Sequence, residues 1–142
     1  VVIGLWLWAC ASGGATDSTP PVDDSATDTS TPPPTLSHAV DIQPIWTANC
    51  TDEGCHILEE GRVMSLEEGY AFDSLVDRAS SQFPLYDLVE PGHPAGSYLT
   101  HKLGGTHTDV GGMGRQMPTG KDPLPDADQL LIQDWIDQGA PP

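Results

Sequence analysis

Cys50-Thr51-Asp52-Glu53-Gly54-Cys55-His56 is the stretch on which the reading of this chain turns. Two cysteines followed at once by a histidine are the parts that fasten a haem covalently to a polypeptide. Each sulfur adds across one vinyl group, and the histidine after the second cysteine turns its imidazole to the iron. The customary spacing is C-x-x-C-H, whereas four residues separate the cysteines here. Residues 51–54 must bow outward for both sulfurs to reach their vinyls, and Gly54 can supply the positive φ that such a bow needs. The adjacency of Cys55 and His56, which fixes the ligand relative to the iron, is intact. One covalent haem c on a widened site is therefore the first reading. Two others stand beside it: a small disulfide loop between Cys50 and Cys55 with His56 solvated, or part of a zinc site. For zinc, no second cysteine pair appears and the remaining histidines are scattered.

Upstream, Val1-Val2-Ile3-Gly4-Leu5-Trp6-Leu7-Trp8-Ala9 is an apolar run, far short of the roughly 20 residues of a membrane span. It has the character of the h-region of an export signal, and with no initiator methionine or basic region before it the true start is expected further upstream. Leu7-Trp8-Ala9-Cys10 resembles a bacterial lipobox, with Trp8 where a small residue is more usual. On that resemblance residues 1–10 are a truncated signal segment and Cys10 is lipidated; otherwise this is a sorting peptide that happens to contain a cysteine. Ala11, rather than Asp, after the cysteine is similar to lipoproteins of the outer rather than the inner membrane. Three cysteines are an odd number, so a disulfide-only account leaves one thiol over. One lipid with two thioethers leaves none, and neither does one lipid with one disulfide.

Residues 11–37 collapse to Ser, Thr, Asp, Gly, Ala and Pro, including Thr31-Pro32-Pro33-Pro34. This is the composition of a disordered tether. With Asp17, Asp23, Asp24 and Asp28 repelling one another, it would reach roughly 80 Å if fully extended. Residues 38–142 then form one domain by length. Glycine and proline are frequent there and the aliphatic content is modest, so side chains alone make a thin core, and a buried porphyrin would supply an apolar body to pack around. No P-loop, dinucleotide fingerprint or nucleophile elbow is present.

The head reads as mainly α. Val40, Ile42, Ile45 and Trp46 recur at helical spacing, with Asp41 as cap and Pro44 in the first turn, and this helix runs into Cys50. Ser65-Leu66-Glu67-Glu68 is a capping box, followed by Tyr70, Leu75 and Val76 as an apolar stripe to about Arg78. Pro91-Gly92-His93-Pro94 is a turn before a brief helix from Ser97 to Leu103. From Gly104 to Pro125 glycine and proline forbid regular structure, and loops this long are usually functional or disordered. Asp126, with Gln129 three later, caps a last helix with Leu131, Ile132, Trp135 and Ile136 on one face, stopped by Gly139 and Pro141. No strand pair is evident.

A six-coordinate haem needs a second axial ligand, and a thioether is the soft, weak donor that favours ferrous iron. The long loop contains Met113 and Met117, and Pro118 behind Met117 holds the chain out of a helix. His101 and His107 are the rivals for a bis-histidine arrangement, and a core-filling role is the plain alternative for Met117.

The order of these pieces resembles the small class I-type c cytochromes, most of all the lipoprotein-tethered ones of exported respiratory and surface systems. The pieces are Asp41-Ile42-Gln43-Pro44-Ile45-Trp46, Cys…Cys-His, Pro-Gly-x-Pro before Ser-x-Leu, a Met-Pro loop, and a terminal Leu-Ile-x-x-Trp-Ile-x-x-Gly-Ala. The likeness covers residues 38–142. It implies a cytochrome c-like helical domain around a haem, with long Gly/Pro-rich loops, Cys50 and Cys55 as thioethers, His56 as proximal and Met117 as distal iron ligand. It implies an electron-transfer protein, not an enzyme. The departures are the widened cysteine spacing and His93 where such turns often carry Asp.

With 21 acidic against 5 basic residues the chain carries −16, which makes nucleic acid an unsuitable partner. An acidic surface would steer towards redox partners with basic docking surfaces, or serve solubility alone. Glu59-Glu60 and Glu67-Glu68 lack the spacing of a calcium loop. The expected place is the cell envelope, as a periplasmic or surface-facing lipoprotein anchored by its N-terminal lipid. The competing functions are a haem-free, disulfide-stapled lipoprotein binding module, and a haem enzyme or gas sensor with an open sixth position.

Overall fold

Ser37 opens the helical part of the head. In the computed structural model, which describes residues 34–58 and 64–142, a π-helical turn, His38–Ile42, runs directly into α1 (Gln43–Asn49). The expected cap at Asp41 is corrected. Ser37 Oγ accepts the Val40 N–H at 3.3 Å while the Asp41 carboxylate reaches back to accept the Ser37 N–H at 2.8 Å. Two otherwise orphaned donors are satisfied by this exchange. Pro44 falls in the first turn of α1, where its missing N–H costs nothing. Val40 is exposed and His38 is buried in its stead.

α2 spans only Ala71–Leu75 and has no side-chain cap, so the Ser65 capping box does not open a helix. Ser65 Oγ accepts the Glu67 N–H at 3.2 Å, and the Glu67 carboxylate accepts both the Ser65 hydroxyl at 3.0 Å and the Leu58 N–H at 2.8 Å. The box ties two loop segments together, and the chain bends at Gly69 before helix starts. Tyr70, placed on the buried stripe by its spacing, is exposed. Beyond α2 only isolated bridges occur, Val76 with Val89 and Ala79 with Asp87.

A 3-10 turn, Pro94–Gly96, precedes α3 (Tyr98–Gly104), and α4 spans Asp126–Asp137. Pro125, not Asp126, occupies the cap of α4. Asp126 and Asp128 lie inside the first turn, where their charge still suits the positive helix end, while Gln129 Nε2 donates to Leu124 O at 2.8 Å. Among the described residues the fold is mainly helical with no strand, as the sequence pattern led one to expect. The signal segment, Cys10 and the tether up to residue 33 lie outside the described residues. The chain divides into two units, Val1–Pro32 and Pro33–Pro142, and the described residues all belong to the second.

Its core joins the first and last helices. Trp46 and Trp135 are both fully buried, with Ile42, Leu75, Ile132 and Ile136 about them. Buried His38 lies at this junction, accepting the Trp46 Nε1–H at 3.2 Å, with its ring centroid 5.5 Å from both Phe72 and Trp135. Burial lowers its pKa, so it stays neutral. The carbonyl of Pro141 accepts from both His38 N at 2.9 Å and Trp135 Nε1 at 2.8 Å. The chain's last residues are thus stitched to the start of the domain, and α1 and α3 are left to present their other faces to a cavity.

Candidate functional site

α1 delivers Cys50, whose N–H closes the last turn on Trp46 O at 2.8 Å and whose side chain is buried. Residues 51–54 then swing out. Cys55 N–H returns to Asp52 O at 2.9 Å, His56 N–H returns to Cys50 O at 3.0 Å, and Asp52, Glu53 and Gly54 are exposed. Gly54 takes φ 79° with no atom within 4 Å of the place a Cβ would occupy, so backbone conformation, not space, asks for glycine there. The extra residues form an external bow whose ends are joined by a hydrogen bond, and Cys50 and His56 remain neighbours. Both cysteines are free thiols. Burial pushes the Cys50 thiol up to about 11, which keeps it protonated at neutral pH.

The segment from Gly105 to Pro125, without regular structure, is fixed on α3 by a series of hydrogen bonds. Met117 N–H donates to Lys102 O at 3.0 Å, and Gln116 Nε2 donates to Leu103 O at 2.7 Å. The Tyr98 hydroxyl accepts the Met113 N–H at 3.2 Å and donates to Met113 O at 3.3 Å, while Lys102 Nζ donates to the same carbonyl at 3.1 Å. Gly112 permits this approach, since a Cβ on it would run into the Tyr98 hydroxyl. The Thr119 hydroxyl lies 3.3 Å from both the Met117 sulfur and the Gln116 carbonyl, which share its one proton.

Between these walls lie two cavities, of about 550 and 330 Å³. His56, Met64, Leu99 and Met117 line both, so they mark where the two adjoin. The smaller brings together Cys50, Cys55, His56 and Met117, four residues chosen from sequence and drawn from two distant segments. The other candidates fall elsewhere. Met113 is 64 % exposed. His101 and His107 line neither cavity: His101 Nε2 donates to Ala95 O at 3.0 Å and buried His107 Nε2 donates to Gly114 O at 3.1 Å. Among the described residues no group of three or more His, Cys, Asp or Glu side chains is placed to hold a metal ion.

Three lining residues escaped the sequence reading. Met64 lines both cavities beside Met117, and the only signal for it was that the chain has a third methionine. Arg78 and Lys102 line the larger cavity. Lys102 is buried, lies 5.9 Å from the Tyr98 ring centroid, and has its pKa lowered by burial. Arg78 Nε donates to Asp73 O at 2.8 Å and Lys102 Nζ to Met113 O at 3.1 Å, so a main-chain carbonyl holds each of these cations. Comparison with protein-family models, with curated proteins and with solved structures finds no match to this chain.

Proposed function

We propose that the head is a monohaem c-type cytochrome-like domain that passes single electrons and performs no bond chemistry on a substrate. The observation that carries this reading is the convergence of Cys50, Cys55, His56 and Met117 on one cavity. A disulfide loop would need the two cysteines but gives no reason for a methionine from a distant loop to meet them.

The residues present fit a haem. Cys50 and Cys55 offer thiols whose S–H would add across two vinyl groups, each proton passing to a vinyl carbon with no change of oxidation state. His56 offers an imidazole and Met117 a thioether, which would hold the iron, and a thioether donor would favour its ferrous state. Leu99, Leu103 and Trp46 supply apolar walls. Arg78 and Lys102 line the larger cavity and are the side chains that would meet a haem's carboxylates there. Bound there, the haem would supply an iron that cycles between Fe(III) and Fe(II). The chain's own part would be to anchor it at Cys50 and Cys55, to hold the iron with His56 and Met117, and to keep water from it.

The wider reading extends this from the sequence: a lipid on Cys10, a tether over the Ser/Thr/Asp/Pro-rich residues that lead up to Leu36, a place in the cell envelope, and basic redox partners drawn to the acidic head. The test is a spectroscopic redox titration of protein exported together with haem-maturation machinery. A single reversible one-electron transition is expected. Protein that carries haem but binds carbon monoxide at once at neutral pH would point instead to an open sixth position.

A further inference from the structure

We propose that the residues inserted between the cysteines serve the Met117 loop: Asp52 and Lys121 form a clasp that holds this loop closed over the smaller cavity. The inference rests on the proposed haem site and assigns Lys121 and Asp52 as positioning residues for Met117. Lys121 Nζ forms an ion pair with the Asp52 carboxylate and donates to Asn49 O at 3.2 Å. Asn49 is the last residue of α1, so the ammonium also meets the negative end of a helix. Lys121 lies 69 residues from Asp52 in sequence but follows closely on Met117. Lys121 lines the smaller cavity with Met117, Pro118 and Thr119, and Asp52 stands outside it on the bow between Cys50 and Gly54, which line it too.

Two features separate this pair from an incidental surface contact. Among the described residues it is the one lysine or arginine paired with a carboxylate, although the chain offers 21 acidic side chains. Asp52 also sits on the outward bow that exists only because four residues stand between the cysteines. The widened spacing thus supplies an anchor point beyond the cavity edge, where the distal loop can be fastened.

An exposed ion pair is a weak bond, so the effect lies in how often the loop opens, not in whether the protein folds. The full mature protein is compared with Lys121→Met, Asp52→Asn, the double variant and Lys121→Arg, after its absorption spectrum has been recorded. Two rates are read: carbon monoxide association with the ferrous protein, and amide hydrogen exchange over residues 117–124. Each single loss is expected to raise both rates about two- to fivefold. The double variant should rise no further than Lys121→Met, because the two act as one pair. Lys121→Arg should stay at the native rates, and added salt should speed the native protein but not Lys121→Met. Native rates in both single variants, or fully additive effects in the double, would overturn the clasp. Because hydrogen exchange reads the loop without reference to iron, altered exchange in a colourless protein would uphold the clasp while removing the haem reading. Unaltered exchange in a haem-loaded protein would do the reverse.

Discussion

The Met117 N–H donates to the carbonyl of Lys102 at 3.0 Å, so the residue proposed as an iron ligand hangs from α3 rather than from a free loop. The Thr119 hydroxyl lies 3.3 Å from its sulfur. On this geometry Met117→Ala should fold and retain covalent haem, yet open the sixth position. It should bind carbon monoxide rapidly where the native protein does so slowly, and its potential should fall. Met64 lines the same cavities but has no such suspension, so Met64→Leu should keep the native spectrum. The reverse pattern would exchange the roles of the two methionines.

Tyr98 is the second support of the loop. Its hydroxyl both accepts from and donates to the main chain of Met113. Tyr98→Phe removes both bonds and leaves the ring packing, so a loss of about 1–2 kcal/mol in urea unfolding is expected. Gly112→Ala attacks the same contact from the other side, by steric conflict with that hydroxyl, and should disturb the Met117 signals in an NMR spectrum of the reduced protein.

His38 gives the fold a pH limit. Burial lowers its pKa from the ordinary 6.5, so between the two values the unfolded chain binds the extra proton and the folded one does not. Stability from this group is complete above about pH 6.5 and declines as the pH falls towards the folded value. His38→Gln keeps an acceptor for Trp46 Nε1 without titrating. Urea midpoints measured from about pH 7.5 to about 5.5 should slope downward in the native protein and flatten in the variant.

Arg78 and Lys102 line the larger cavity, and positive charge beside the proposed haem would disfavour the more oxidised iron. Arg78→Gln and Lys102→Met should each lower the midpoint potential, by up to roughly 60 mV, the equivalent of a tenfold change for one electron. A potential unmoved in both would place the carboxylate edge of the haem elsewhere.

Much of the helical frame was legible because its signals are local. Ile42, Ile45 and Trp46, and later Ile132, Trp135 and Ile136, repeat with the helical period and are buried as that period requires. Caps were read less well, because a side-chain oxygen in the right place says nothing about which N–H it meets. Asp41 serves Ser37 instead of opening the helix, and the Ser65 and Glu67 pair serves Leu58 in a loop. The site divides along the same line. The bow at Gly54 and the candidates Cys50, Cys55 and His56 are contiguous and could be found by spacing. Met64 and the contact of Lys121 with Asp52 depend on which distant segments meet. Lys102 was hidden by its type, since a charged residue on a short helix is ordinarily read as solvated, whereas here its stem is buried and its ammonium is held by Met113 O.

The central claim is most directly tested by the pyridine haemochrome spectrum and intact mass of the exported head after denaturation. The expected result is a spectrum of the kind given by haem held through two thioethers, with a mass equal to chain plus one haem. A colourless protein that unfolds cooperatively, with a mass two hydrogens below that of the reduced chain, would contradict it and leave Cys50 and Cys55 as a disulfide.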